Sequence, residues 1–132
     1  MTALVDTSGL YACLDGGDAH HEIATETFVE LTKAGALVTH SYVVLESAAL
    51  VQRRFGIEPL RALLDDLLPA IETIYVDESI HQAAVAALIA SRSRDVSLVD
   101  WTSFEVMRRL GIEQAFAFND DFAAQGFGVL PG

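Results

Sequence analysis

Short apolar runs alternate with helix-length stretches along this sequence of 132 residues. The connections between successive runs are too long for β-hairpins, so neighbouring strands are expected to run parallel, with helices crossing over the sheet. The predicted strands are Thr2–Val5, Ala36–Thr39, Ile71–Val76, Ala115–Phe118 and Phe127–Leu130. The alternation predicts one α/β domain over residues 1–132, with a largely parallel central sheet and helices on both faces.

Capping residues and helix-stopping residues indicate where the helices begin and end. The predicted helices are Ser8–Leu14, Ala19–Ala34, Ser41–Arg54, Glu58–Leu68, Glu78–Ser91 and Ser97–Leu110, with a helical turn at Asp120–Gln125. Ser41 and Asp77 are suited to cap the helices that follow them, and Ser97 with Asp100 has the spacing of a capping box. Pro69 and Gly111 are placed to end helices.

Acidic residues recur where a predicted strand gives way to a helix, or on a helix early in the next unit. They are Asp6, Glu46, Asp100 and the pair Asp120–Asp121. A carboxylate beside a buried apolar run costs free energy unless something offsets its desolvation. Since ligands of parallel sheets bind at the carboxyl ends of the strands, the sequence predicts that these acids converge there on a cation.

Each acid also has an ordinary structural interpretation. Asp6 is placed to cap the first helix, and Asp100 to complete the capping box with Ser97. Asn119 suits the cap of the last helical turn, which would leave Asp121 as a first-turn acid, and Glu46 has a surface alternative. The joint pattern favours the metal site. Because the ligand set is oxygen without a His or Cys cluster, the predicted ion is Mg²⁺ or Mn²⁺.

Composition limits the class of protein and the compartment that the sequence fits. The 19 acidic against 8 basic residues give a net charge of −11, which argues against a general nucleic-acid binder, although the seven arginines fall in three groups that could form a phosphate-binding rim. No apolar run reaches the ~20 residues of a membrane helix, and no positive segment of a signal peptide opens the sequence. With Cys13 as the only cysteine, a cytoplasmic protein is expected. The 52% apolar content indicates either a rich core or a surface covered by a partner.

Four motifs in this order resemble the PIN domain, and in particular the VapC-type toxins of toxin–antitoxin pairs. The motifs are Val-Asp-Thr-Ser at residues 5–8, Glu46 on a following helix, Ser-Leu-Val-Asp at 97–100, and Asn-Asp-Asp-Phe at 119–122. The resemblance implies a three-layer α/β/α fold and a metal-dependent endoribonuclease that hydrolyses RNA phosphodiesters with a metal-activated water, leaving 5′-phosphate and 3′-hydroxyl ends. It also implies a homodimer held inactive by a cognate small antitoxin protein.

The acidic positions of that family transfer residue by residue. Asp6, Glu46 and Asp100 match the first three, and Ser8 matches a hydroxyl beside the first acid. The fourth position is Asn119 rather than aspartate, and Asp121 is a substitute ligand there. The resemblance therefore implies catalytic and metal-binding roles for Asp6, Glu46, Asp100 and Asp121, with Asn119 as a weaker metal ligand.

Other interpretations stay open at this point. A PIN-like chain weakened at Asn119 would act as a binding module that sequesters a partner or RNA. A phosphoacceptor receiver domain needs a lysine late in the chain, whereas Lys33 is the only lysine. A dehalogenase-type phosphatase needs a second aspartate at position 8, which is serine. Trp101 is interpreted either as a packed helix residue or as a stacking surface for a base.

Overall fold

A computed structural model describes residues 1–132 and contains one five-stranded sheet in which every strand pairing is parallel. The strands are β1 (Ala3–Val5), β2 (Leu37–His40), β3 (Glu72–Ile74), β4 (Gln114–Phe116) and β5 (Gly128–Leu130), in the spatial order β3-β2-β1-β4-β5. The chain winds outward from β1 to β3 and then returns to the other side of β1. The predicted parallel α/β sheet is confirmed.

Seven helices cover the sheet. They are α1 (Thr7–Leu14), α2 (His21–Lys33), α3 (Ser41–Phe55), α4 (Ile57–Ala62), α5 (Glu78–Ser91), α6 (Leu98–Leu110) and α7 (Asp121–Ala124). The predicted single helix Glu58–Leu68 is wrong in detail, because α4 passes into a π-helical turn at Leu63–Leu67 and then a 3₁₀ turn at Leu68–Ala70. The regular helix ends at Ala62, and the helical segment as a whole ends with the 3₁₀ turn that contains Pro69.

Alternate residues of the central strands face two separate cores. Ala3 and Val5 pack with helices α1 to α4 on one face, while Leu4 packs with α5, α6 and α7 on the other. In β4, Phe116 faces the first core and Ala115 the second. This period of two is what strands buried on both faces require, and it confirms the predicted three-layer arrangement.

One predicted helix cap is wrong. Asp77 and Ser97 cap α5 and α6 as predicted, but α3 is capped by His40, whose Nδ1 accepts hydrogen bonds from the N–H groups of Tyr42 and Val43. Ser41 instead accepts the N–H of Val76 at 2.9 Å. That bond takes the Val76 N–H out of the sheet, so β3 ends earlier than the predicted strand.

The side chain of His40 forms hydrogen bonds to both of the helices that carry predicted site residues. Its side chain is fully buried, and burial lowers the pKa of its imidazole to about 4, so the ring is neutral at pH 7. Because Nδ1 accepts the cap bonds, Nε2 donates to Ser103 Oγ of α6 at 2.8 Å. The bond fixes the start of α3, which carries Glu46, against α6, which carries Asp100.

A glycine lets α1 approach the sheet closely. A Cβ atom added to Gly9 would lie 2.8 Å from the carbonyl oxygen of Phe116 in β4, so only glycine fits there without a backbone shift. The close approach places Ser8 beside the end of β4, where its Oγ accepts the N–H of Phe118 at 2.9 Å.

Several large apolar side chains remain on the surface. Leu45, Ile57 and Tyr75 are exposed, and a groove of about 500 Å³ runs between α3 and the edge strand β3. The apolar residues of the sequence therefore form a filled core and also leave exposed side chains on the surface, and that a partner covers these side chains stays a prediction. No helix of the protein has the length and apolar character that crossing a membrane demands.

Candidate active site

The predicted site residues come from four different parts of the chain that meet at one edge of the sheet. Asp6 follows β1 and Asn119 follows β4, the two neighbouring strands between which the winding direction changes. Glu46 lies on α3 and Asp100 in the first turn of α6. A crevice opens at such a switch point because the adjoining connections leave toward opposite faces.

Asp6 has the most hydrogen bonds of the group. It is buried, and its Oδ2 accepts bonds from Ser8 Oγ at 2.6 Å, from Ser8 N at 3.1 Å and from Asn119 Nδ2 at 3.2 Å. The bond from Ser8 N is a helix cap, so the capping interpretation of Asp6 is right and does not compete with a site role. The bond from Asn119 joins the ends of β1 and β4.

Burial raises the pKa of Asp6 to about 6. The hydrogen bonds from Ser8 oppose this rise, while the charges of Asp100 and Glu46 add to it. A carboxylate that is costly to ionise on its own gains from a nearby cation, which would offset both the desolvation and the repulsion. Strongly perturbed carboxylates in a cleft are characteristic of functional sites.

Asp100 is held by the capping box of α6. Its Oδ2 accepts bonds from Ser97 Oγ at 3.0 Å and Ser97 N at 3.1 Å, while Asp100 N donates back to Ser97 Oγ. Partial burial raises the pKa of Asp100; the Ser97 bonds oppose the rise and the charge of Glu46 adds to it. The predicted capping box is confirmed, and it orients the carboxylate at the cleft.

We expect Ser97→Ala to lower the free energy of unfolding by about 1 kcal/mol, since it removes a helix cap. Loss of the Ser97 hydroxyl also removes a donor to Asp100, so the pKa of that carboxyl is expected to rise further. Thermal unfolding and a titration of Asp100 by NMR measure the two effects. Ser91→Ala, which removes an exposed hydroxyl at the end of α5, is the matched control.

The remaining two acids are placed differently. Glu46 is exposed on α3 and lines the cleft, so its surface interpretation is right and does not compete with a site role. Asp121 does not line the cleft. Partial burial raises the pKa of Asp121, and the charges of Asp100, Asp120 and Asp95 add to that rise. Asp121 is therefore close enough to Asp100 for their charges to repel, although it lies outside the cleft lining.

The cleft has a volume of about 400 Å³ and an acidic lining. Asp6, Asp18, Glu46 and Asp100 contribute carboxylates to it, and neither lysine nor arginine does. No three of the Asp, Glu, His and Cys side chains in the structure are close enough together to coordinate one ion directly. Mg²⁺ commonly keeps several waters and takes only one or two carboxylates, so this oxygen-rich cleft fits a hydrated hard cation.

Sequence patterns did not single out several residues that line the cleft, three of which come from α1 and the turn after it. Tyr11, Asp18 and His20 lie in or after α1, where the turn between α1 and α2 folds back over the site. The spacing of Asp18 and His20 from Asp6 carries no signal, because their positions depend on how that turn is built. Trp101 packs edge-to-face on Phe104 at 5.3 Å and does not line the cleft, as its packing interpretation predicted.

Comparison with known proteins identifies the family. The sequence model of the PIN domain matches residues 3–128. The chain belongs to the PIN domain family. The predicted family and the three-layer fold are thereby confirmed, and the PIN match covers every predicted site residue.

Two curated PIN relatives and one crystal structure are similar over nearly the full length. The 23S rRNA-specific endonuclease VapC20 from Mycobacterium tuberculosis strains CDC 1551 / Oshkosh and ATCC 25618 / H37Rv is 35% identical over 124 residues, 93% of either chain. The crystal structure of M. tuberculosis VapC20, described as a sarcin–ricin loop cleaving toxin, superposes with a TM-score of 0.83 at 32% identity, covering 96% of both chains.

Proposed function

We propose that this PIN protein is the toxin of a toxin–antitoxin pair and acts as a metal-dependent endoribonuclease. The observation that carries the proposal is the buried Asp6 carboxylate at the switch point of the sheet, in one cleft with Glu46 and Asp100. The similarity to endonuclease VapC20 across nearly the whole chain supports the same reaction class.

Asp6 and Asp100 are the proposed direct ligands of Mg²⁺ or Mn²⁺, with Glu46 and Asp121 acting through bound water. A divalent ion supplies Lewis-acid stabilisation of the phosphate and lowers the pKa of bound water. Ser8 and Asn119 orient the Asp6 carboxylate, and Ser97 orients that of Asp100. The amide of Asn119 leaves the cleft with one carboxylate fewer than aspartate would provide.

Ribosomal RNA is the proposed substrate class. The relatives named above are 23S rRNA-specific, and one is described as cleaving the sarcin–ricin loop. The acidic cleft of this chain has no lysine or arginine to attract phosphate by itself. A bound divalent ion would therefore provide much of the local attraction for the scissile phosphodiester.

A homodimer and a small antitoxin are the proposed partners. Leu45 and Tyr75 are exposed beside the groove between α3 and β3, and such uncovered apolar surface is typical of an interface. An antitoxin that inserts an arginine into the acidic cleft would block the metal ligands. Sedimentation of the isolated chain, and co-purification with a small basic protein encoded beside it, test these two partners.

The test of the proposed function combines cleavage with metal binding. We expect purified protein to cut 23S rRNA in Mg²⁺ or Mn²⁺, to be inactive in EDTA, and to be inactive when both Asp6 and Asp100 are changed to asparagine. Metal at about 100 times its Kd should also raise the free energy of unfolding by about 2.7 kcal/mol. An unchanged melting curve in millimolar Mn²⁺ would count against the metal site.

A second candidate is a binding module weakened at Asn119. The absence of any three acids within direct coordinating distance favours it. Such a module would bind RNA or an antitoxin without cutting in any metal. Intact RNA after incubation of the antitoxin-free protein with ribosomes, naked 23S rRNA and Mn²⁺ would support this alternative.

A further inference from the structure

One wall of the cleft carries a pair of stacked rings that the proposed chemistry does not use. The imidazole of His20 lies on the ring of Phe118 with centroids 4.6 Å apart and planes inclined by 17°. Both residues line the cleft, and His20 is exposed. Phe118 lies two residues after the end of β4, and its N–H donates to Ser8 Oγ beside the Asp6 carboxylate.

His20 differs from the other three histidines because neither of its ring nitrogens has a hydrogen-bond partner in the protein. His21 Nδ1 bonds to the carbonyl of Ala12, His40 bonds to Ser103, and His81 bonds to Tyr42. The His20 side chain also makes no capping bond, although the residue stands at the cap position of α2. Helix capping and turn formation therefore do not explain why an imidazole is placed there.

The charge of the cleft limits how it can hold RNA. Four carboxylates line it, and neither lysine nor arginine does. Ion pairs with phosphate, which usually dominate nucleic-acid affinity, are therefore not available from the cleft wall. Stacking of a base on an aromatic ring involves no net charge and contributes substantial affinity in single-stranded RNA recognition.

We propose that His20, backed by Phe118, is a stacking platform for an unpaired RNA base next to the scissile phosphodiester. Phe118 covers one face of the imidazole, and the base stacks on the other. The unpartnered ring nitrogens lie at the rim of the same platform, where they can bind the base edge or ribose. The platform favours RNA loops over paired stems, because a base within a duplex does not expose its face.

Tyr11 also lines the cleft. Its ring stacks on Phe55 with centroids 5.8 Å apart, and the guanidinium of Arg54 lies 5.8 Å from the Tyr11 ring centroid. Arg54 is therefore placed beside the cleft rather than in it, where it can contact a phosphate flanking the stacked base. The combination of an aromatic platform and a nearby arginine is suited to a single-stranded segment.

The inference rests on the proposed ribonuclease function, so its test measures stacking apart from cleavage. The probe is an RNA hairpin with 2-aminopurine in its loop, whose fluorescence is quenched on stacking, bound in Mn²⁺ to protein carrying Asp100→Asn. Adding His20→Ala should abolish the quench and weaken binding by about 5- to 100-fold. Adding His20→Phe, which keeps a ring, should preserve both.

His21→Ala is the matched control, because it breaks a bond in the same turn without touching the cleft. Unchanged quenching with His20→Ala, or an equal loss with His21→Ala, would overturn the platform. Cleavage by the protein without Asp100→Asn is recorded in parallel. If the protein with Asp100 intact cuts RNA but the Asp100→Asn protein gives no quench, the platform alone is overturned. A quench without any cutting supports the platform and counts against the nuclease.

Discussion

Asp6→Asn is expected to abolish cleavage while making the metal-free protein more stable. Removing a proposed metal ligand should lower the rate by at least about 100-fold. The stability effect has the opposite sign because the carboxylate of Asp6 is buried and its pKa is raised from 3.8 to about 6. Asparagine keeps an oxygen that can accept the bonds from Ser8 and Asn119 and carries no charge.

The pH dependence follows from the direction of the Asp6 pKa shift. Between pH 3.8 and about 6 the folded protein keeps the Asp6 proton after the unfolded chain has lost it. The contribution of Asp6 to the free energy of unfolding is thus highest below pH 3.8 and falls as the pH rises through this window. Above the window it is lower by about 3 kcal/mol. We expect Asp6→Asn to recover about 2–3 kcal/mol at pH 7.5 in EDTA and nothing at pH 3.

Urea unfolding at the two pH values, with and without Mn²⁺, measures these differences. Asp77→Asn is the matched control, because it makes the same chemical change at a helix cap that does not line the cleft. If Asp6→Asn destabilised the protein in EDTA at pH 7.5, the assignment of Asp6 as a buried carboxylate with a raised pKa would be contradicted. A Mn²⁺ stabilisation that survives Asp6→Asn would contradict its role as a ligand.

Asn119→Asp is expected to act in the opposite way, weakening the metal-free fold and strengthening metal binding. The Nδ2 group of Asn119 donates to Asp6 at 3.2 Å, and aspartate would replace that donor with a second negative oxygen. Loss of a hydrogen bond to a charged group costs about 1.5–3 kcal/mol, and the new repulsion adds to it. An added carboxylate also supplies the oxygen ligand that hard divalent ions prefer.

We expect the Mn²⁺ concentration for half-maximal cleavage to fall about tenfold, which is the effect of about 1.4 kcal/mol of binding free energy. Cleavage across a Mn²⁺ titration, with unfolding in EDTA, gives both numbers. Asp121→Asn on the wild-type background shows whether Asp121 already fills the ligand position. A large loss with Asp121→Asn and no change with Asn119→Asp would place the fourth ligand at Asp121.

The sheet and its helices could be predicted because the sequence patterns that indicate them are local. Buried runs such as Ala3–Val5 and capping residues such as Asp77 and Ser97 are decided within a few residues of chain. The errors fall where a distant contact decides. His40 caps α3 because its other ring nitrogen reaches Ser103 of α6, and Val76 leaves the sheet to bind Ser41.

The candidate site was predictable only in part for the same reason. Acids that directly follow a strand, such as Asp6, are placed by the topology of a parallel sheet. The exposure of Glu46 and the position of Asp121 outside the cleft depend on how α3, α6 and α7 pack. His20 reaches the cleft through a turn whose path no spacing rule encodes.

The hydrogen bonds that complete the Asp6 site join residues that are synthesised early to residues that are synthesised late. Ser8 accepts the N–H of Phe118 across 110 residues of chain, and Asn119 donates to Asp6 across 113. A nascent chain that stops before Gln114 has β1 without its partner β4 and lacks both of these donors. For a protein proposed to cut ribosomal RNA, this long-range closure keeps the centre unassembled until almost the whole chain has left the ribosome that makes it.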